Sequence, residues 1–147
     1  MIPVVVIVGP TAAGKSSLAM QLAAQRASEI VSCDSVQVYR GFDIGSAKPS
    51  KPEQAAVPHH LLDIVAWHES YDAAQYARDA KAAIRDITAR GRLPIVVGGS
   101  GLYLRALMTY EWHDDLPKDL ALRADLAKYA SVELAAMLAQ KDPARAR

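Results

Sequence analysis

Residues 3–23 read PVVVIVGPTAAGKSSLAMQLA: an apolar run, an octet bounded by glycine, then a helical pattern. The octet places Gly9 and Gly14 with four residues between them, followed by Lys15 and Ser16. This is the spacing of a phosphate-binding loop, in the strand-then-helix setting that such a loop requires. Glycine at 9 and 14 allows backbone angles closed to other residues. The loop formed by Gly9, Pro10, Thr11, Ala12, Ala13 and Gly14 can therefore turn its N–H groups inward around a phosphate. A helix starting near Lys15 aims its positive end at the same anion. Lys15 reaches the terminal phosphate as a mobile point charge, and the Ser16 hydroxyl suits Mg²⁺. The competing reading, a glycine-rich turn without a ligand, is disfavoured by the strand and helix flanks. A polyphosphate is expected here.

Bulk properties bound the rest. A chain of 147 residues, 51% of them apolar, suits a globular domain with a real core. Seventeen Lys and Arg stand against 16 Asp and Glu, so a nucleic-acid partner would have to be met by a local basic patch. The single cysteine, Cys33, can form no intrachain disulfide, which points to a reducing cytoplasm, and it reads as a small buried strand residue. No span long enough for a membrane is present, and the 2–8 run reads instead as a strand buried on both faces.

Further apolar runs at 29–33 and 93–97 read as strands, with a third candidate at 61–65. Between them, Leu18, Ala19, Leu22 and Ala23 recur at helical spacing. Ser70, Tyr71 and Asp72 can cap a helix over 73–89 that Gly91 stops, and 102–107 turns helical again. The stretch 41–58 is rich in Gly, Pro, Ser and Lys and reads as a long ordered loop or a flexible excursion. This alternation predicts an α/β fold, a doubly wound, mainly parallel sheet like that of P-loop NTPases. Ligands then belong outside the carboxyl ends of the strands, where Gly9, Asp34 and Gly98 stand. Residues 1–109 form this core, and 110–147 form a charged, alanine-rich helical appendage with patches at 120–129 and 131–140.

Asp34 closes an apolar strand and is followed by Ser35, Val36 and Gln37. A carboxylate there can act as a general base or hold Mg²⁺ through water, or it can simply cap a turn. The strand at 93–97 ends in Gly98-Gly99-Ser100-Gly101, where an ATPase would carry an Asp for Mg²⁺. An Arg-rich lid of the kind small kinases use is missing too. The adjacent His59 and His60 point in different directions on most backbones, so structural hydrogen bonding is expected, not a joint metal site. Arg40, Lys48 and Lys51 make a modest basic stretch, either a solvated loop or a contact for RNA phosphates.

Four segments, GPTAAGKS (9–16), SCDSVQVYRGFDIGSAKPS (32–50), PHHLLDI (58–64) and GGSGLYLRAL (98–107), resemble those of tRNA dimethylallyltransferases. The likeness runs in the same order through most of 3–108 and weakens from 110 onward. It implies transfer of the dimethylallyl group from dimethylallyl diphosphate to the exocyclic N6 amine of the adenosine beside the anticodon, with release of diphosphate. Residues 9–16 would grip the diphosphate with Lys15, Ser16 would hold Mg²⁺, and Asp34 would be the general base. Asp34, Ser35, Val36 and Gln37 would contact the flipped adenosine, with Ser100 orienting the amine or a diphosphate oxygen and Arg123 touching tRNA. Ser100 and Ser16 stand where the family commonly has Thr, and Val36 where it has Met. The resemblance further implies that 110–147 belongs to an incomplete tRNA-binding insertion of an N-terminal portion, and that the full-length enzyme is a cytoplasmic monomer. Without its missing half the chain would bind diphosphate yet modify tRNA poorly. Alternatives are an adenylate isopentenyltransferase acting on free nucleotide, a P-loop small-molecule kinase, or a nucleotide-binding module without catalysis.

Overall fold

The computed structural model describes residues 3–109 and 119–146. Ile2, expected to start the first strand, Tyr110 and the residues after it to 118, and Arg147 lie outside the described residues. The chain divides into two units, Met1–Trp112 and His113–Arg147.

In the first unit, β1 (Val5–Val8) leads through the loop into α1 (Lys15–Gln25), and β2 (Ser28–Cys33) follows. Next come α2 (Lys51–Ala56), β3 (His59–His60), α3 (Ala73–Ala89), β4 (Leu93–Gly98) and α4 (Gly101–Met108). The four strands form one sheet in the order β1-β4-β2-β3, and every pairing is parallel. Helices cover both faces, as a doubly wound sheet requires. On one face Ala19 of α1 packs with Ile30, Ile95 and Val97. On the other, Tyr76, Ala80, Ile84 and Ile87 of α3 and Tyr103 of α4 pack against Val31, Cys33 and Val96. The Tyr76 and Tyr103 rings stack at 4.4 Å. Cys33 is a buried free thiol, as its strand position suggested.

Local chemistry sets the boundaries. The α3 N-terminus is a reciprocal box: Asp72 accepts from the Gln75 N–H, and the Gln75 side chain accepts from the Asp72 N–H. Gly91, at φ +70°, ends the helix as expected. Within the presumed loop 41–58, Ser50 and Glu53 form a second box that starts α2. The 41–58 segment is therefore ordered, and its Ser-Lys-Pro-Glu start was readable as a cap signal.

Three expectations are corrected. β1 is not buried on both faces: Val6 and Val8 remain 36% and 51% exposed, because α3 packs over β2 and β4 and leaves that side of β1 open. The third strand lies at His59–His60 instead of 61–65, since Leu61 and Asp63 take φ of +63° and +55°, which breaks an extended run. Leu18 turns outward from α1, leaving Ala19, Met20, Leu22 and Ala23 to face the core.

In the second unit, α5 (Leu120–Leu126) is capped by Asp119, which accepts from the Leu122 N–H, and α6 (Ser131–Lys141) by Glu133 reaching back to the Ala130 N–H. Neither helix holds a buried residue. Among the described residues, no helix is long and apolar enough to cross a membrane.

Candidate active site

A cleft of about 500 Å³ opens at the carboxyl ends of the strands. Residues 11–17 form one wall, Ser32, Asp34, Gly98 and Gly99 lie at the strand ends, and Gly45, Ser46, Ala47, Pro49 and His59 close the far side. The strand ends carrying Gly98 and Asp34 thus meet the phosphate loop in one place, whereas Gly9 and Pro10 line a smaller hollow that shares Gly99 with the cleft.

The loop's left-handed positions are Ala12 (φ +64°) and Gly14 (φ +79°). Gly9 does not take a positive φ, and a Cβ there would meet Lys15 and Ala13 only at ordinary contact distances. Glycine freedom is therefore needed at 14 and not at 9. Gly14 is the N-cap of α1 and supplies no side-chain cap, so the first-turn N–H groups stay open for an anion. Lys15 Nζ donates to the Pro10 carbonyl at 2.7 Å, which folds the ammonium over the loop, and Ser16 presents an exposed hydroxyl beside it.

Asp34 does two jobs at once. Its Oδ1 accepts from the Val36 N–H at 2.8 Å and the Gln37 N–H at 3.2 Å, the turn-capping role. Its Oδ2 makes no hydrogen bond to a described residue, and Asp34 lines the cleft. Val36 is half-exposed and lines it too. Gln37 is engaged: Oε1 accepts from Ser32 Oγ at 3.0 Å, and Nε2 donates to the Ser46 and Ala47 carbonyls. It braces the far wall.

Ser100 comes to the Asp34 turn without lining the main cleft. Its Oγ accepts from the Ser35 N–H, and its N–H donates to the Cys33 carbonyl. It lines a smaller hollow of about 380 Å³ among Val8, Pro10 and Leu104. Arg123 lies on α5 in the second unit.

Two of the three residues of the basic stretch, Arg40 and Lys48, are spent on the fold, and Lys51 is exposed. Lys48 is 4% exposed, and its ammonium donates to Asp43 and Asp63 at 2.7 Å and to the Tyr39 carbonyl at 3.1 Å. Burial pulls its pKa down, but those carboxylates outweigh it and the pKa lies above the ordinary value. The Arg40 guanidinium donates to the Asp63 and Ile64 carbonyls. The histidines bond separately, His59 Nδ1 to the Val57 carbonyl at 2.7 Å and His60 Nε2 to Glu29 at 2.6 Å. The expected structural bonding holds. Ser32 and His59 are cleft residues that motif reading missed. Strand alternation would have found Ser32, which shares a face with Asp34.

The profile of the IPP transferase family matches residues 37–147. The chain belongs to this family. The chain is 52% identical over 149 residues to a tRNA dimethylallyltransferase of Desulfotalea psychrophila, covering 99% of the chain and 47% of that relative. It is 54% identical over 145 residues to one from an Anaeromyxobacter species, covering 94% and 47%. The crystal structure of a full-length tRNA isopentenylpyrophosphate transferase from Bacillus halodurans superposes with a TM-score of 0.74 at 41% identity, covering 99% of the chain and 50% of that protein. A eukaryotic dimethylallyltransferase acting on tRNA superposes with a TM-score of 0.87 at 33% identity, covering 99% and 37%. The chain spans about half the length of the curated relatives it matches.

One feature of the chain sets it apart from phosphate-loop ATPases. β4 is the strand paired to β1, and it ends at Gly98 with no carboxylate. A Cβ at Gly98 would lie 2.0 Å from the Cys33 carbonyl oxygen, so no side chain fits at the position where such an ATPase carries its Mg²⁺-binding Asp.

Proposed function

We propose that this chain carries the donor site and the catalytic base of a tRNA dimethylallyltransferase. The observation that carries the reading is one cleft shared by an open-ended phosphate loop and the Asp34 turn, in an IPP transferase chain. Dimethylallyl diphosphate seats its diphosphate on residues 9–16. The allylic C–O bond breaks, and the departing diphosphate's charge is met by the α1 N–H groups and Lys15. The N6 amine of the adenosine beside the anticodon forms the new C–N bond, and Asp34 takes the proton it sheds. An adenosine inside an RNA fold must leave its stack to reach such a cleft.

Mg²⁺ suits the donor set. Among the described residues no cluster of three metal-ligating side chains exists, so a protein cage is ruled out there. The Ser16 hydroxyl in the cleft offers a single hard oxygen, the mode in which Mg²⁺ relies on substrate phosphates and water. When bound it would neutralise diphosphate charge. The segment 110–147, with Arg123, is assigned to RNA contact, and a reducing cytoplasm suits the free Cys33.

The test is to incubate the intact protein with unmodified tRNA and either dimethylallyl diphosphate or ATP. Prenylated adenosine and free diphosphate from the first donor alone are expected. Phosphoryl transfer from ATP without prenylation would overturn the reading.

A further inference from the structure

His59 is held in the cleft in a way that its motif does not announce. It sits on β3 opposite Ile30 of β2, and parallel register puts it on the face that carries Ile30, Ser32 and Asp34, all of which line the cleft. His60, the next residue, turns to the opposite face and bonds Glu29. The pair therefore divides: one ring belongs to the fold, the other to the cleft.

The bond at Nδ1 fixes the His59 ring chemically. Its partner, the Val57 carbonyl, can only accept, so Nδ1 carries the proton. In the neutral ring Nε2 then holds a lone pair. Burial lowers the His59 pKa and the His60 charge adds to this; the Val57 bond and Glu53 oppose it without reversing the shift. At neutral pH the ring is uncharged. Nε2 has no partner among the described residues.

We propose that His59 Nε2 accepts a hydrogen bond from an N–H or O–H of the nucleoside that receives the prenyl group. This rests on the reading that a nucleoside enters the cleft. A lone pair is the wrong group to face diphosphate, whose oxygens only accept, and the loop wall already supplies the donors that diphosphate needs. A nucleoside offers donors, and apart from hydroxyls the side-chain acceptors among the described residues lining this cleft are Gln37, committed to the loop, Asp34, whose Oδ1 is held by its own turn, and His59. His59 joins Asp34 Oδ2 as an open acceptor.

Two substitutions separate this contact from a structural role. In His59→Asn the amide reaches where Nδ1 lies, so it can keep the Val57 bond while deleting the distal acceptor. In His59→Gln the amide reaches the Nε2 position and restores an acceptor while abandoning Val57. Steady-state kinetics of the intact enzyme with an anticodon stem-loop should show kcat/KM for RNA about tenfold lower in His59→Asn, and recovered at least in part in His59→Gln. KM for dimethylallyl diphosphate should stay unchanged in both. An RNA with 2′-deoxyadenosine at the target locates the donor: the His59→Asn deficit vanishes if the donor is the ribose hydroxyl and persists if it is the base. Wild-type activity in His59→Asn, or a deficit equal for both substrates, overturns the proposal. Imidazole nitrogen-15 spectra of the 147-residue chain test it without turnover: the Nδ1–H tautomer is expected, and the Nε2–H tautomer overturns it. A wild-type enzyme that prenylates nothing would instead sink the functional reading, whatever the tautomer.

Discussion

Ser100 Oγ accepts a hydrogen bond from the Ser35 backbone N–H at 2.9 Å, and its hydroxyl lies 3.3 Å from Ser35 Oγ. The end of β4 is thereby tied to the turn that presents Asp34. Ser100→Ala should release that turn and lower kcat about tenfold, with diphosphate affinity kept. Ser100→Thr keeps the acceptor and should retain activity. Kinetics of both variants beside diphosphate titration decide it, and an undiminished Ser100→Ala enzyme would refute a positioning role.

Asp34 can be divided by substitution because Oδ1 holds the turn while Oδ2 bonds no described residue. Asp34→Asn keeps an acceptor for the Val36 and Gln37 N–H groups but is not basic. It should fold with an unchanged melting temperature and turn over roughly 10²–10⁴-fold more slowly. Asp34→Ala should show the same kinetic loss plus about 1 kcal/mol of instability from the lost turn cap. Normal turnover in Asp34→Asn would restrict this residue to the turn.

Gly98→Ala should be among the most damaging substitutions in the chain. The added methyl would lie 2.0 Å from the Cys33 carbonyl oxygen and 2.4 Å from its carbon, both backbone atoms of a central strand. A loss of at least about 3 kcal/mol is expected, read by denaturant melts. Gly9→Ala, whose methyl meets only ordinary contacts, should be far milder.

Acid should weaken the sheet through Glu29. Its burial pushes the carboxyl up, but hydrogen bonds and charge from His60 and Arg90 prevail and hold it below the ordinary range. A carboxyl depressed in the folded state contributes stability that is complete above its unfolded pKa of about 4.3. That contribution drains as pH falls through the lower folded value. Glu29→Gln should lower the melting temperature at neutral pH and flatten its fall below about pH 4.3. An unchanged acid slope would show that the cluster is energetically silent.

The 147-residue chain should bind diphosphate yet hold an anticodon stem-loop weakly at physiological salt. RNA affinity comes mainly from many phosphate contacts, and Lys48 and Arg40 are committed within the fold. Titration of both ligands checks it; tight RNA binding with repeated turnover would contradict it.

The sheet, its helices and the meeting of three strand ends were legible because each rests on local signals: β-branched runs, the glycine octet, the Asp72 cap. Sheet order was not, and with it went the exposure of Val6 and Val8, which depends on which strand α3 covers. The brief β3 was hidden because the left-handed angles at Leu61 and Asp63 come from tertiary contacts, among them the Lys48 and Arg40 bonds to Asp63. Family resemblance pointed to Asp34, Gln37 and Ser100. Their actual bonds, a half-committed carboxylate, an amide turned to the loop and a hydroxyl serving as a tie, appear only in three dimensions.

The buried ammonium of Lys48 withdraws from solvent a charge that the 41–58 stretch displays in sequence. It is bonded to both Asp43 and Asp63, while the Arg40 guanidinium is held by the Asp63 and Ile64 carbonyls. Lys15 is then the one Lys or Arg among the described residues that line the cleft, and it stands on the same wall as the open α1 N–H groups. The cleft is thus charged for an anion of a few oxygens, and the described residues lining it offer no second Lys or Arg to carry a chain of phosphates.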